Sequence, residues 1–437
     1  MELCVVGAGH VGLVTATCFA DLGNYVICVD QDKERIQSLQ KGKAWFYEPG
    51  LEPLVVHNLK RKRLSFTTQI SEGVRGAEVI FIAVGTPPLP SGEADLTSVE
   101  EVVRSIARAA NGYRLIVEKS TVPVETGKRI RQILQLTPKK KGPMDVASNP
   151  EFLREGSGVE DFFHPERIVI GVESAKARCL LEELYKPFKA PLVVTDIASA
   201  ELIKHASNAF LSMKISFINA VSVLCDRVGA DVEKVALGIG LDSRIGSSFL
   251  RAGVGYGGFC FPKDLEAFIR IAEKLGYDFQ LLKATREINE GQRRFLMEKV
   301  ERQLWNLKGK KIGILGLAFK PDTDDLRFAP SLEIIEMLLQ AGARVHAFDP
   351  RAMSGAKQLL GKRIGFSADP YELARGSDCL VLMTEWNEFK EVDFKRVKRL
   401  MHQPIVVDGR NMYDPEAMRR LGFRYIGMGR GNNVGPA

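Results

Sequence analysis

Short apolar runs alternate with amphipathic stretches through the first third of the chain. Leu3-Cys4-Val5-Val6 predicts a strand, residues from about Val11 to Leu22 a helix, and Tyr25 to Val29 a second strand closing on Asp30. Ala77 to Val84, Leu115 to Lys119 and Asp145 to Ser148 predict further buried strands. Each runs into a turn: Gly85-Thr86-Pro87-Pro88, Ser120-Thr121-Val122-Pro123 and Asn149-Pro150-Glu151-Phe152-Leu153. From Ile197 to about Val228 neither glycine nor proline interrupts, which predicts one long, largely buried helix. A second helix is expected from about Tyr277 to Leu307. The strand pattern then recurs at Lys311 to Leu317, Arg344 to Phe348, Cys379 to Met383 and Ile405 to Asp408. The expected organisation is α/β: a doubly wound domain over 1–196, a helical segment over 197–300, a second doubly wound domain over 301–427, and a disordered tail over 428–437.

The chemistry-bearing residues fall at the ends of these runs. Gly7-Ala8-Gly9-His10-Val11-Gly12 lies between the first strand and its helix, with Asp30 at the end of the second strand. In that order the first glycine permits the tight turn, the second lets a pyrophosphate approach, and the third lets helix pack on strand. The unit is Rossmann-like and predicts a dinucleotide. Asp30 suits the ribose hydroxyls and repels a 2′-phosphate, which favours NAD over NADP; Arg35 close by weakens that preference slightly, because an arginine there can serve a phosphate. The second doubly wound unit, Rossmann-like but without the full fingerprint, is expected to take a different nucleotide or none. Thr86, Thr121, Glu151 and Glu155 stand at strand ends, where such sheets bind ligands, although turn and cap chemistry also explains them. Lys204 and Asn208 lie four apart on the long helix and share a face. The run Gly255-Tyr256-Gly257-Gly258-Phe259-Cys260-Phe261-Pro262-Lys263-Asp264 sets a thiol between a glycine turn and a helix start. Cys260 is there either an activated nucleophile or an inert buried cysteine.

Composition removes other classes. With 45% hydrophobic and 26% charged residues the chain is globular, and a net charge of +7 without an aromatic-studded basic face argues against nucleic acid. Lys139-Lys140-Lys141 is expected as a solvated loop. The odd cysteine count (7), without a CxxC pair, and six scattered histidines predict a reduced, cytoplasmic protein without a metal centre. No apolar run is expected to reach membrane-spanning length, and no signal peptide is expected.

Further motifs narrow the reading: Glu118-Lys119-Ser120-Thr121-Val122-Pro123, Asn149-Pro150-Glu151-Phe152-Leu153-Arg154-Glu155-Gly156, Glu201-Leu202-Ile203-Lys204, Gly257 to Asp264, and Gly316-Leu317-Ala318-Phe319-Lys320. Together with the glycine turn they resemble the UDP-glucose/GDP-mannose dehydrogenase family over about residues 1 to 425. The resemblance implies an NAD-dependent four-electron oxidation of a UDP-sugar, UDP-glucose to UDP-glucuronate, of the kind used in polysaccharide biosynthesis. It passes through a thiohemiacetal and a thioester on Cys260. Lys204 and Asn208 would then stabilise an oxyanion, while Asp264, Thr121 and Glu151 handle water and protons. The same resemblance assigns Gly7, Gly9, His10, Val11, Gly12, Asp30, Arg35, Thr86, Thr121, Glu155, Lys263 and Arg327 to the cofactor. To the sugar nucleotide it assigns Glu151, Phe152, Leu153, Lys204, Asn208, Phe249, Tyr256, Gly257, Lys320 and Arg410. Arg244 would reach a neighbouring subunit's site, implying at least a homodimer, built through the central helix. Three positions depart from the family pattern: Phe259 for serine, Glu125 for glycine, and Phe328-Ala329-Pro330-Ser331 where an acidic residue is usual. GDP-mannose or UDP-N-acetyl sugars are alternative substrates. A simple two-electron hydroxy-acid dehydrogenase or a non-catalytic sugar-nucleotide sensor are alternative functions.

Overall fold

Parallel strands buried on both faces need continuous apolar runs and crossover helices, and both halves of the chain supply them. The computed structural model describes residues 1–137 and 142–431. They form two compact units: Met1–Ser207 with Glu266–Tyr277, and Asn208–Leu265 with the chain from Asp278 onward. Residues 197–300, expected as one helical segment, are thus shared out between the two units.

The first unit holds β1 (Glu2–Val6), β2 (Tyr25–Val29), β3 (Leu64–Thr67), β4 (Val79–Ile82), β5 (Arg114–Glu118), β6 (Met144–Ser148), β7 (Ile168–Gly171) and β8 (Leu192–Thr195). Their order is β3-β2-β1-β4-β5-β6-β7-β8. All neighbours are parallel except β6 and β7, which pair antiparallel at Ser148 and Gly171. The order reverses between β1 and β4, the place where a doubly wound sheet opens a crevice at its carboxyl ends. Phe19 of the opening helix (His10–Asp21) packs against Phe81 and edge-on against Phe162, at 5.4 and 5.0 Å.

The second unit holds β9 (Lys311–Leu315), β10 (Arg344–Phe348), β11 (Gly365–Phe366), β12 (Cys379–Leu382), β13 (Ile405–Asp408) and β14 (Arg424–Gly427). The order is β11-β10-β9-β12-β13-β14, all parallel. Trp386 and Phe389 are the largest side chains sealed in its core.

The long helix, Ile197–Val228, matches its expected span. By length and composition it could cross a membrane, which corrects the expectation that no stretch has that reach. Its polar residues keep any single run short, and they are the buried ones: Glu201, Lys204, Asn208, Ser212, Asn219 and Ser222, while Phe210, Phe217 and Leu224 are exposed. The tail also needs correction. Met428 is buried and its N–H donates to Asn411 Oδ1 at 2.8 Å, while Gly429 donates to Asp226 at 3.0 Å. Residues 428–431 therefore belong to the second unit. Residues 432–437 and the Lys139–Lys141 run lie outside the described residues.

Candidate active site

The first unit carries the dinucleotide end. A Cβ on Gly12 would collide with the carbonyl of Gly7, so only glycine closes this turn, whereas a Cβ on Gly9 would meet nothing within 4 Å. That open space lies at the N-terminus of the opening helix, which has no side-chain cap, so its first N–H groups are available to a pyrophosphate. These features fit NAD. Asp30 Oδ2 accepts from the Ala8 N–H at 2.7 Å and from Arg35 at 3.0 Å, and Oδ1 accepts from the Asp32 N–H at 3.0 Å. His10, next to Val11 in this turn, pairs through Nε2 with Glu48 at 2.6 Å, and Glu48 also accepts from the Gly156 and Gly158 N–H groups, each at 2.7 Å. Glu48 thereby ties the glycine turn to the segment that carries Glu155. Thr86 Oγ1 donates to the Thr121 carbonyl at 2.8 Å, joining two strand-end turns.

The Thr121 turn is gripped by the long helix. His205 Nε2 lies 2.7 Å from the Val122 carbonyl, and Glu201 accepts from the N–H groups of Glu125 and Gly127, each at 2.7 Å. Glu118, at the end of β5, has no donor for either carboxyl oxygen. Burial, and then the Glu201 carboxylate, push its pKa well above the usual carboxylate range, which favours the protonated form. On the same helix, Lys204 Nζ pairs with Glu151 Oε1 at 3.0 Å, both side chains about 5% exposed. Glu151 Oε2 accepts from the Leu153 N–H at 2.6 Å, and the Phe152 ring lies 5.4 Å from the Lys204 ammonium. A second buried lysine, Lys119, donates to Asn149 Oδ1 at 3.0 Å. Burial pulls its pKa down to about 8; Glu151 opposes that shift and Lys204 adds to it.

The second unit carries the thiol. Gly258 has φ +78°, and a Cβ there would run into the Phe319 ring. The neighbouring Gly257 is wedged against Phe328 and Pro330. The loop is fixed from two directions. Asn289 exchanges hydrogen bonds with the Tyr256 backbone at 2.9 and 3.1 Å. Arg410 donates to the carbonyls of Gly255, Met383 and Phe319 at 3.0, 2.8 and 3.0 Å. Arg410 thus holds the loop, a role its assignment to the sugar nucleotide does not include. Tyr256 is itself buried, edge-on to Phe261, and burial pushes its phenol up to about 12. Cys260 opens the helix Cys260–Lys274 and is half-buried. By contrast Cys4, Cys18, Cys28 and Cys379 are sealed, and burial pushes their thiols upward. Four residues on, Asp264 accepts from Asn208 Nδ2 and from Lys263 Nζ, both at 2.6 Å. The Phe259 ring lies 4.4 Å from the Arg327 guanidinium and 5.4 Å from the Lys263 ammonium. Arg327 grips Asp325, Phe249 takes φ +65°, and Lys320 lies 5.7 Å from the Phe319 ring. Arg244 is largely exposed and pairs with Asp242 at 2.6 Å.

Within the first unit the structure brings together the glycine turn with Asp30, Arg35 and His10, and Lys204 with Glu151, Phe152 and Leu153. Within the second it brings together Asn208, Asp264, Lys263 and Phe259. Sequence reasoning missed Glu48 and Trp45; it quoted Glu118 and Lys119 within a motif but gave neither a role. No cluster of three or more metal-ligating side chains occurs among the described residues.

An open glycine turn with an aspartate just beyond the second strand, and a half-buried thiol at a helix start, suit an oxidoreductase that works with a dinucleotide. Comparison with known proteins agrees. Residues 1–189 match the NAD binding domain of the UDP-glucose/GDP-mannose dehydrogenase family, 198–291 its central domain and 313–415 its UDP binding domain. The chain belongs to this family and is an NAD-dependent oxidoreductase. UDP-glucose 6-dehydrogenase TuaD of Bacillus subtilis (strain 168) is 49% identical over 429 residues, covering 98% of this chain and 93% of the relative. UDP-glucose 6-dehydrogenase of Rhizobium meliloti (strain 1021) is 46% identical, covering 98% and 100%. A UDP-glucose dehydrogenase structure from Pyrobaculum islandicum superposes with a TM-score of 0.92 at 41% identity, covering 98% of this chain and 97% of that one.

Proposed function

We propose that the enzyme oxidises the C6 alcohol of UDP-glucose to the carboxylate of UDP-glucuronate in two hydride transfers. One sugar and one water give one carboxylate, two NADH and three protons. Bound NAD supplies the hydride acceptor for each step. The first transfer leaves an aldehyde, and the Cys260 thiol adds to it as a thiohemiacetal. Loss of the second hydride from that carbon leaves a thioester, which water cleaves to free the thiol. The Lys204 ammonium and the Asn208 amide stabilise the oxyanions of these steps. Asp264, held between Asn208 and Lys263, orients that amide. Thr121 and Glu151 serve the hydrolytic water and its protons. The reading is carried by one observation: among cysteines otherwise mostly sealed, Cys260 is half-buried at a helix N-terminus, where a thiolate is favoured. The relatives' activity on UDP-glucose supports the substrate. A homodimer through the long helix is part of the reading, supported by the exposed Phe210, Phe217 and Leu224, and a single-chain mass by light scattering would remove it. The location proposed is the cytoplasm.

The test is stoichiometric. Two NADH per UDP-glucose are expected; one would indicate a simple alcohol dehydrogenase, and none a sugar-nucleotide sensor. UDP-glucose should exceed GDP-mannose and UDP-N-acetyl sugars in kcat/KM. Cys260→Ser should bind both ligands yet lose carboxylate formation by about a thousandfold or more. Full turnover by that variant would remove the thioester route.

A further inference from the structure

We infer that Trp45 sets the NAD-over-NADP preference of this enzyme by locking Arg35 onto Asp30. An arginine close to the ribose-binding acid is ambiguous, because the guanidinium that pairs with the acid can equally receive a 2′-phosphate. Here it is held from three sides. Arg35 Nη1 donates to Asp30 Oδ2 at 3.0 Å, Nη2 lies 3.7 Å from Asp32, and the guanidinium carbon stands 4.4 Å from the centre of the Trp45 ring.

The indole is anchored in turn. Its Nε1–H donates to the Ala8 carbonyl, inside the glycine turn, at 2.9 Å. Its ring meets Phe46 edge-on at 5.0 Å, and Phe46 lies 4.8 Å from the His10 ring. The Ala8 residue is therefore gripped at both ends, its N–H by Asp30 and its carbonyl by Trp45, with Arg35 spanning the two holders. Trp45 is about half exposed on the loop between the helices Lys33–Gln40 and Leu51–Lys60, an unusual setting for so large an apolar ring. The hydrogen bond to the turn and the stacked cation give it a reason to be there. To accept a 2′-phosphate the guanidinium has to leave the Asp30 carboxylate and slide off the indole. Trp45 opposes both movements, so the site takes dinucleotides with a free 2′-hydroxyl and rejects 2′-phosphorylated ones.

The test uses binding, measured calorimetrically on the full chain without sugar, so its failure leaves the four-electron reading standing. In Trp45→Leu the ratio of the NADP and NAD dissociation constants should fall about three- to tenfold, the scale of a stacked cation. Trp45→Phe keeps a ring but loses the tether and should fall less. Adding Arg35→Ala to Trp45→Leu should abolish the gain relative to Arg35→Ala alone. A ratio unchanged in Trp45→Leu, or a fall that persists without Arg35, overturns the inference. Should Trp45→Leu not fold, Trp45→Phe decides by the same ratio. Simple damage to the glycine turn weakens both dinucleotides together and leaves the ratio where it was.

Discussion

The two sheets of this chain share one strand order and differ in the turn that leaves the first strand. In each, the first strand lies between the second and the fourth, and an aspartate ends or succeeds the second strand. After β1, residues 7–9 lead straight into a helix whose uncapped N-terminus faces open space. After β9, residues 316–329 form a long loop before the next helix, Pro330–Gln340. The two aspartates differ accordingly. Asp30 accepts two backbone N–H groups and one side-chain guanidinium. Asp349 is sealed, taking the N–H groups of Leu317, Ala318, Arg351 and Ala352 and the indole of Trp386. The same scaffold therefore carries an acid with three protein donors beside an open turn, and a structural knot where five protein donors surround the acid.

Replacing the two acids separates these roles, and the largest effect falls on the second sheet. Asp349→Ala leaves four backbone N–H groups and an indole N–H buried without an acceptor. It should cost about 3 kcal/mol or more, read as a lower urea midpoint. Asp30→Ala should leave the midpoint within about 1 kcal/mol of wild type and weaken NAD about tenfold. Equal stability losses in the two variants would break the comparison.

Much of this contrast was readable from residue patterns. Continuous runs such as Leu3–Val6 and Cys379–Met383 announce central strands because both faces are covered. β3 reads Leu-Ser-Phe-Thr, β8 is partly exposed along its length and β11 has only two residues, so none carries a comparable signal. The full glycine fingerprint in one sheet and its absence in the other marked the difference in the first turn. As candidates, Cys260, Lys204 and Asp264 stand out because short motifs carry them, and Asn208 because it lies one helical turn from Lys204. Glu48, Trp45 and Asp349 do not, because each acts on backbone groups distant in sequence: Glu48 reaches Gly158 across 110 residues and Trp45 reaches Ala8 across 37. No local pattern reports which carboxylate will collect five donors.

The fifth strands repeat the lesson with buried carboxyls at their ends. Glu118 ends β5 with no donor for either carboxyl oxygen; Asp408 ends β13 and takes the N–H groups of Arg410, Met412 and Tyr413 and the hydroxyl of Tyr425. Burial raises both pKa values, and hydrogen bonds oppose the rise only at Asp408. The folded chain therefore holds a proton on Glu118 that the unfolded chain releases near the ordinary value of 4.5. From that pH upward stability falls, because the native state binds more protons than the unfolded state. Glu118→Gln is neutral at every pH, so urea midpoints between pH 4.5 and 8 should show a flatter decline than wild type. Asp408→Asn instead turns an amide N–H towards existing donors and should lose about 2 kcal/mol across the range. A slope unchanged by Glu118→Gln would mean that Glu118 does not carry the extra proton of the folded chain.

The turns beyond these strands give the smallest and sharpest test. Each contains a residue in the left-handed region: Glu125 at φ +76° and Asn411 at φ +52°. Asparagine tolerates that conformation, and Asn411 exploits it, binding Met428 through both its amide atoms at 2.7 and 2.8 Å. Glutamate has no such excuse. The Glu125 side chain is exposed, 3.8 Å from Lys128, while the interaction that matters, its N–H to Glu201, belongs to the backbone and survives any substitution except proline. Left-handed strain in a non-glycine residue costs about 1–2 kcal/mol, and the added freedom of an unfolded glycine takes back about 0.5–1 kcal/mol. Glu125→Gly should therefore stabilise the chain by about 0.5–1 kcal/mol, as a raised urea midpoint at unchanged slope. Asn411→Gly, which loses the bonds to Met428, should move the midpoint the other way. If both glycines shift it in the same direction, backbone strain is not what distinguishes the two turns.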